Sequence, residues 1–160
     1  MEEQNNTPLA RMQKLEKMLD EYEGKIGLSQ FQEQGDDSVK KYLSMTRGQM
    51  EKLSPIDCAE IAIALGGFSF YLQRCFNREN SRVDWASSVL KQIVSGKEQQ
   101  FRGSWESQFS QAVSNDDYAS GILKLKNYAQ QRANRITYLA SSCKHMSELY
   151  KNLQLAKAMK

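Results

Sequence analysis

The chain has 160 residues, 40% of them apolar and 26% charged, which fits one domain, or one domain with a small appendage, and rules out a second full-size core. That composition excludes a disordered chain, and two prolines with nine glycines supply too few turns for a sandwich or barrel, so an all-α protein is expected. The net charge of +3 is unevenly placed: residues 1–117 carry 14 Lys/Arg against 18 Asp/Glu, net −4, whereas residues 118–160 carry eight basic residues against Glu148 alone, net +7.

In chain order, Leu9, Met12, Leu15, Met18, Leu19 and Tyr22 form one apolar stripe of a four-turn helix over 8–23. Thr7 is its N-cap, Pro8 stands at the first helical position, and Gly24 and Gly27 end it. Residues 28–38 read as a loop, followed by a short helix over about 37–45. Thr46-Arg47-Gly48-Gln49 has capping-box spacing and starts another short turn through Leu53. These pieces make an N-terminal segment, residues 1–53, that serves as a packing or oligomerisation arm.

Ser54-Pro55-Ile56-Asp57 is the strongest local signal: a serine cap, proline at the first helical position and an acid in the first turn. The helix it starts meets no breaker but Gly66-Gly67 until Ser95-Gly96. Alternate steps of three and four from Cys58 pass Ile61, Leu65, Phe68, Leu72, Cys75, Glu79, Arg82, Ala86, Val89 and Ile93. A last long helix opens at Asn115-Asp116-Asp117, and the same stepping from Tyr118 passes Ile122, Leu125, Ala129, Arg132, Ile136, Leu139, Cys143, Met146, Tyr150 and Leu153. A sustained period near 3.5 marks a coiled-coil-like seam. Residues 54–160 are therefore expected to form an antiparallel hairpin of two long helices. Its connector, 95–114, repeats Phe101, Trp105 and Phe109 every four residues and holds a short amphipathic helix.

Placing Ile93 opposite Tyr118 puts Glu79 opposite Arg132, so the polar breaks of both seams fall in one layer and an ion pair there sets the register. Exchanging the two charges together should then restore what either single exchange disrupts. Leu65, Phe68, Leu72, Ile136, Leu139, Met146 and Tyr150 are the expected seam and assembly residues. Around Phe68, Phe70, Tyr71 and Phe76 the first long helix is apolar nearly all round, more than one partner helix covers.

Enzyme chemistry finds no support in the sequence. His145, the only histidine, lies off the face of Cys143 and reads as a surface residue. No phosphate-cradling loop is present, and the acidic pairs Glu2-Glu3 and Asp36-Asp37 lack metal-site neighbours. Three widely spaced cysteines, Cys58, Cys75 and Cys143, suit reduced thiols packed as small apolar residues. No cofactor, metal, signal peptide or run of about 18 apolar residues is recognised, so a cytoplasmic protein without a membrane span is expected.

The sharper candidates are cations. Arg74, Arg78 and Arg82 step by four along the first long helix, Lys124, Lys126, Arg135, Lys144 and Lys151 lie along the second, and Tyr71, Tyr128 and Tyr138 are near enough in sequence to stack on bases. A polyanion partner, nucleic acid first, fits this pattern; a solvated helix face fits it too.

The order of elements resembles the tailed-phage recombination mediator (UvsY-like) family. The resemblance rests on a long aromatic and basic helix with Phe70-Tyr71-Leu72-Gln73-Arg74 and Asn77-Arg78-Glu79, a polar connector, the acidic start Asn115-Asp116-Asp117 and a final amphipathic helix with a basic tail. It implies a ring-shaped homo-oligomer that binds single-stranded DNA without sequence preference, loads a recombinase and displaces single-strand binding protein. Arg74, Arg78 and Arg82 would then contact phosphate, and the final helix would assemble the ring. The leading expectation is thus a non-enzymatic, single-stranded-DNA-binding recombination mediator. The alternative is a structural or adaptor coiled coil, such as a virion assembly or scaffolding component, whose basic helix meets an acidic protein surface.

Overall fold

The computed structural model describes residues 7–28, 36–96 and 103–159. Glu2-Glu3, Phe101, most of the expected loop at 28–38 and the side chains of Asp36 and Asp37 lie outside the described residues. Every regular element among the described residues is an α-helix: α1 (Pro8–Lys25), α2 (Asp36–Leu43), α3 (Arg47–Glu51), α4 (Pro55–Ser95), α5 (Trp105–Ser114), α6 (Asp117–Ile136) and α7 (Leu139–Ala158).

The caps are the ones the sequence spells out. Thr7 accepts from the Ala10 N–H at 3.2 Å and Pro8 begins α1; the helix runs past Gly24, and Gly27, at φ +77°, follows its end in a left-handed conformation that glycine adopts freely. Gln49 accepts from the Thr46 N–H at 2.8 Å at the start of α3. At the head of α4 the bonds are reciprocal: the Asp57 N–H donates to Ser54 at 3.1 Å and the Ser54 N–H to the Asp57 carboxylate at 2.8 Å. Hydrogen bonding to the carboxylate from the Ser54 hydroxyl and from the Ser54 N–H holds the exposed Asp57 carboxyl below its ordinary range. α4 then continues for 41 residues without interruption at Gly66-Gly67.

The chain packs as two compact units, each discontinuous in sequence: Met1–Leu28 with Asn77–Asn134, and Ser29–Phe76 with Arg135–Lys160. Segment 1–53 is divided between them, α1 in the first and α2 with α3 in the second. α4 serves both, its first half in the second unit and its later half in the first.

In the first unit the core is Ala86, Leu90, Ala119 and Ile122, flanked by Trp85, Val89, Phe109 and Val113, so α5 closes over α4 and α6. α1 joins at its N-terminus, where Pro8 lies against Gly121 so closely that a Cβ there would meet the Pro8 ring at 3.0 Å, and the Arg11 guanidinium stands 5.5 Å over the Tyr118 ring. In the second unit Val39, Ile61, Leu65 and Tyr150 form one cluster with Tyr42, Met45, Met50 and Leu53 around it. Leu72, Ala140 and Cys143 form another. Hydroxyls tie its helices together: Ser69 donates to the Ala140 carbonyl at 2.8 Å, Ser147 to Ala62 at 2.6 Å and Tyr150 to Tyr42 at 3.0 Å.

Two features differ from the sequence expectation. The last helix is not continuous: it stops at Ile136 and restarts at Leu139. Ile136-Thr137-Tyr138 is a run of β-branched and aromatic residues, weak helix formers, and Tyr138 supplies the next first-turn acceptor, bonding the Ser142 N–H at 2.9 Å. The buried line of α4 also drifts from strict heptads, passing through Leu90 and Val94 instead of Val89 and Ile93. Up to Ala86 the buried positions Cys58, Leu65, Leu72, Glu79 and Ala86 keep the seven-residue spacing, and the departure comes in about the last two and a half turns of the helix. On α6 and α7 the expected Ile122, Ala129, Cys143 and Tyr150 are buried, but Ala119, Ala133 and Ala140 are buried in place of Tyr118, Arg132 and Leu139, and Leu139 is 48% exposed. Small residues allow closer helix approach than the large ones on which the heptad stepping was built.

Candidate nucleic-acid and assembly surfaces

The α4 cations fall in the two units and have different surroundings. In the first unit, Arg78 donates to Glu23 through Nη2 at 2.8 Å and Nε at 3.3 Å, and also pairs with Asp20. Hydrogen bonding to Glu23, more than burial opposes, holds the Arg78 guanidinium more firmly protonated than usual. Arg82 bonds Glu16 through Nε and reaches the buried Glu79 carboxylate with Nη1. Glu79 in turn accepts from Arg132 Nε at 2.9 Å, so the expected partner of Glu79 is present together with a second arginine. Glu16, Asp20 and Glu23, spaced four and three apart, share one face of α1 and lie along two successive turns of α4.

The resemblance implied that Arg78 and Arg82 contact phosphate; in this structure both are engaged by carboxylates, and both are only about a quarter exposed. The sequence displays the arginine spacing, but not the α1 face that covers it. The one available signal was the matching spacing of the acids at 16, 20 and 23. In the second unit Arg74 is half-buried, and Tyr71 is half-buried with its ring stacked on Phe68 at 5.8 Å. The Tyr71 face expected to meet bases belongs to the cluster of Leu72, Ala140 and Cys143.

The basic residues of α6 and α7 are differently placed. From Tyr118 to Ser147 the chain contains no carboxylate. In the first unit Lys124 is exposed, Lys126 half-buried and Tyr128 58% exposed. Lys124, Tyr128 and Gln131, at steps of four and three, share one exposed α6 face, which places a cation and an aromatic plane side by side. In the second unit Arg135, Lys144, His145 and Lys151 are exposed.

Of the seam residues, Leu65 and Tyr150 are fully or almost fully buried, Leu72 is 9% exposed, and Phe68, Ile136 and Met146 are half-buried. A separate apolar line runs along α4 in the second unit, where Ile56, Ile63 and Phe70, seven apart, are 71%, 73% and 64% exposed. α4 also contains an 18-residue stretch of mean hydropathy 1.3, of which 17% is buried, so by length and composition alone it is long and apolar enough to cross a membrane. The sequence expectation required an uninterrupted apolar run, which Asp57 and Glu60 break. Burial pushes the Cys58 and Cys143 thiols up, and among the described residues no group of three or more His, Cys, Asp or Glu is placed to hold a metal.

Comparison with family models, with characterised proteins and with solved structures gives no match to this chain.

Proposed function

We propose that the protein is a non-enzymatic helical homo-oligomer that binds single-stranded nucleic acid in the cytoplasm, in the manner of a recombination mediator that helps load a recombinase. The observation that carries this reading is the exposed Tyr128 beside Lys124 on a 30-residue stretch, 118–147, without a single carboxylate. An aromatic face stacks on any base, and cations along the same helix follow the phosphates without reading sequence. The phosphate contacts are thereby moved from Arg78 and Arg82 to the outer faces of α6 and α7.

The same reading takes α4 and the α6–α7 stretch as the two arms of the antiparallel hairpin. Within the first unit Leu90 clusters with Ile122 and Glu79 bonds Arg132; within the second, Ile61 clusters with Tyr150. Each partner number rises as the α4 number falls. Assembly into a ring uses the line of Ile56, Ile63 and Phe70, and repeated weak contacts then add through multivalency.

Titration of oligo-dT at two salt concentrations tests the proposal. Affinity that falls steeply with salt and drops about tenfold in Tyr128→Ala, in keeping with the stacking energy of one base, supports it; no binding at low salt overturns it. A structural or adaptor role is the second reading, favoured by the exposed Ile56, Ile63 and Phe70 line itself. Co-purification of an acidic partner protein by a chain that binds no oligonucleotide, lost in Ile63→Asp, decides for it.

A further inference from the structure

The Arg78 and Arg82 sites are complete anion sites whose anions come from the chain itself. Two guanidinium groups one turn apart face three carboxylates on α1, Glu23 and Asp20 on Arg78 and Glu16 on Arg82. Arginine pairs with phosphate in the same bidentate manner as with carboxylate, so a polyanion strand and α1 compete for the same donors.

The rest of α1 holds it weakly. Met12 is its only buried residue, and Leu9, Met18 and Tyr22 are 50%, 60% and 60% exposed. Between α1 and α4 an open cleft of about 320 Å³ is lined by Arg11, Lys14, Leu15, Met18 and Trp85. A helix fastened at its first turn by Pro8 and Arg11, and along its later turns by partly exposed ion pairs, has an attachment that salt and competing anions weaken.

We infer that the acidic face of α1, Glu16, Asp20 and Glu23, is a strap that occupies Arg78 and Arg82 in the free protein and is displaced by a phosphate backbone, which then gains both arginines. The inference rests on the single-strand-binding reading above and adds a regulated second contact to it. On displacement Arg82 keeps its bond to Glu79, so the uncovered site stays ordered. Three carboxylates leave the two guanidinium groups and two backbone phosphates take their place.

The experiment compares oligo-dT binding by the wild-type chain and by Glu16→Gln/Asp20→Asn/Glu23→Gln, with Trp105→Phe in both so that Trp85 alone reports on α1. A control variant, Glu21→Gln/Asp84→Asn/Glu106→Gln, removes three exposed carboxylates from the same unit and matches the change in net charge. The strap variant should bind about tenfold more tightly than the control. In the wild type, Trp85 emission should move when oligo-dT is added, and the log–log salt slope of the final complex should include about 1.4 from two arginine–phosphate contacts, lost in Arg78→Gln/Arg82→Gln. Equal affinity of the strap and control variants, or a gain that survives Arg78→Gln/Arg82→Gln, overturns the strap while leaving single-strand binding intact. No binding by any variant at low salt overturns both. Should the strap variant fail to fold, by circular dichroism, the wild-type Trp85 response decides: emission unchanged at saturating oligo-dT overturns the strap.

Discussion

The two units of this chain are built from the same helix, α4, yet are held by different forces. In the first, Glu79 lies buried between Arg82 and Arg132, α1 is held by Arg78 and Arg82, and the apolar cluster includes the small residues Ala86 and Ala119. In the second, Leu65, Ile61, Val39 and Tyr150 make a core of large side chains, and hydroxyl groups of Ser69, Ser147 and Tyr150 reach backbone carbonyls of neighbouring helices. An ionic assembly responds to salt and to competing ions; an apolar one responds to cavities. One amphipathic helix thus carries a half that adds a salt-responsive layer of Arg78, Glu79 and Arg82 to its buried Leu90 and Val94, and a half whose inward positions are Ile61, Leu65 and Leu72.

The sharpest break of this contrast is Leu65→Ala. With no exposed surface at this position, a cavity opens in the second unit and the loss should be about 2–5 kcal/mol, nearly independent of salt, read as loss of amide-exchange protection in the second unit. Next is Glu79→Gln, which leaves Arg82 and Arg132 facing each other across a neutral amide; about 1–3 kcal/mol should be lost, from the first unit and most clearly at low salt. Exchanging charges as Glu79→Arg with Arg132→Glu should recover only part of this, because the new arginine stands beside Arg82. Full recovery would show that Arg82 contributes nothing to the pair.

Smaller effects sharpen the picture. Tyr150→Phe deletes the bond to the Tyr42 carbonyl and should cost about 0.5–1.5 kcal/mol with no salt dependence. Burial raises the pKa of Cys58, Cys143 and Tyr150 alike. Their neutral forms are favoured by folding, so that contribution is intact below the ordinary thiol value of 9.0 and is lost as pH rises beyond it. Urea midpoints of the second unit should accordingly fall at alkaline pH, and an unchanged midpoint would refute this. Smallest is Ser54→Ala, about 1 kcal/mol from the cap of α4. Because the Ser54 hydroxyl lowers the Asp57 pKa, that part of the effect is present above 3.8 and is lost as pH falls, so the difference between wild type and variant should narrow in acid to what the bond from the Asp57 N–H contributes.

Local signals were the legible part of the fold. Ser54-Pro55-Ile56-Asp57, Thr7-Pro8 and Thr46 with Gln49 each specify a helix start through bonds made within four residues, and each is found where the sequence puts it. The Glu79 and Arg132 pairing was legible because two polar residues interrupt apolar lines at matching positions. What the sequence did not display depends on phase or on remote chain. The turn at Thr137-Tyr138 shifts α7 so that Ala140 packs and Leu139 faces outward. Likewise Arg78 and Arg82 read as cations available to phosphate because their α1 partners lie more than 50 residues away in sequence. A charge count gives the sign of a segment and not which of its charges are already matched.

The discontinuous make-up of both units also bears on how the chain is born. Ile122 completes the core of the first and Tyr150 that of the second, and the hydroxyl of Tyr150 reaches back 108 positions to Tyr42. On the ribosome, α4 therefore emerges with its apolar sides waiting for segments not yet synthesised. Neither core can close before Ile122 and Tyr150, respectively, have been made, so the apolar sides of α4 stay uncovered while the later helices are synthesised.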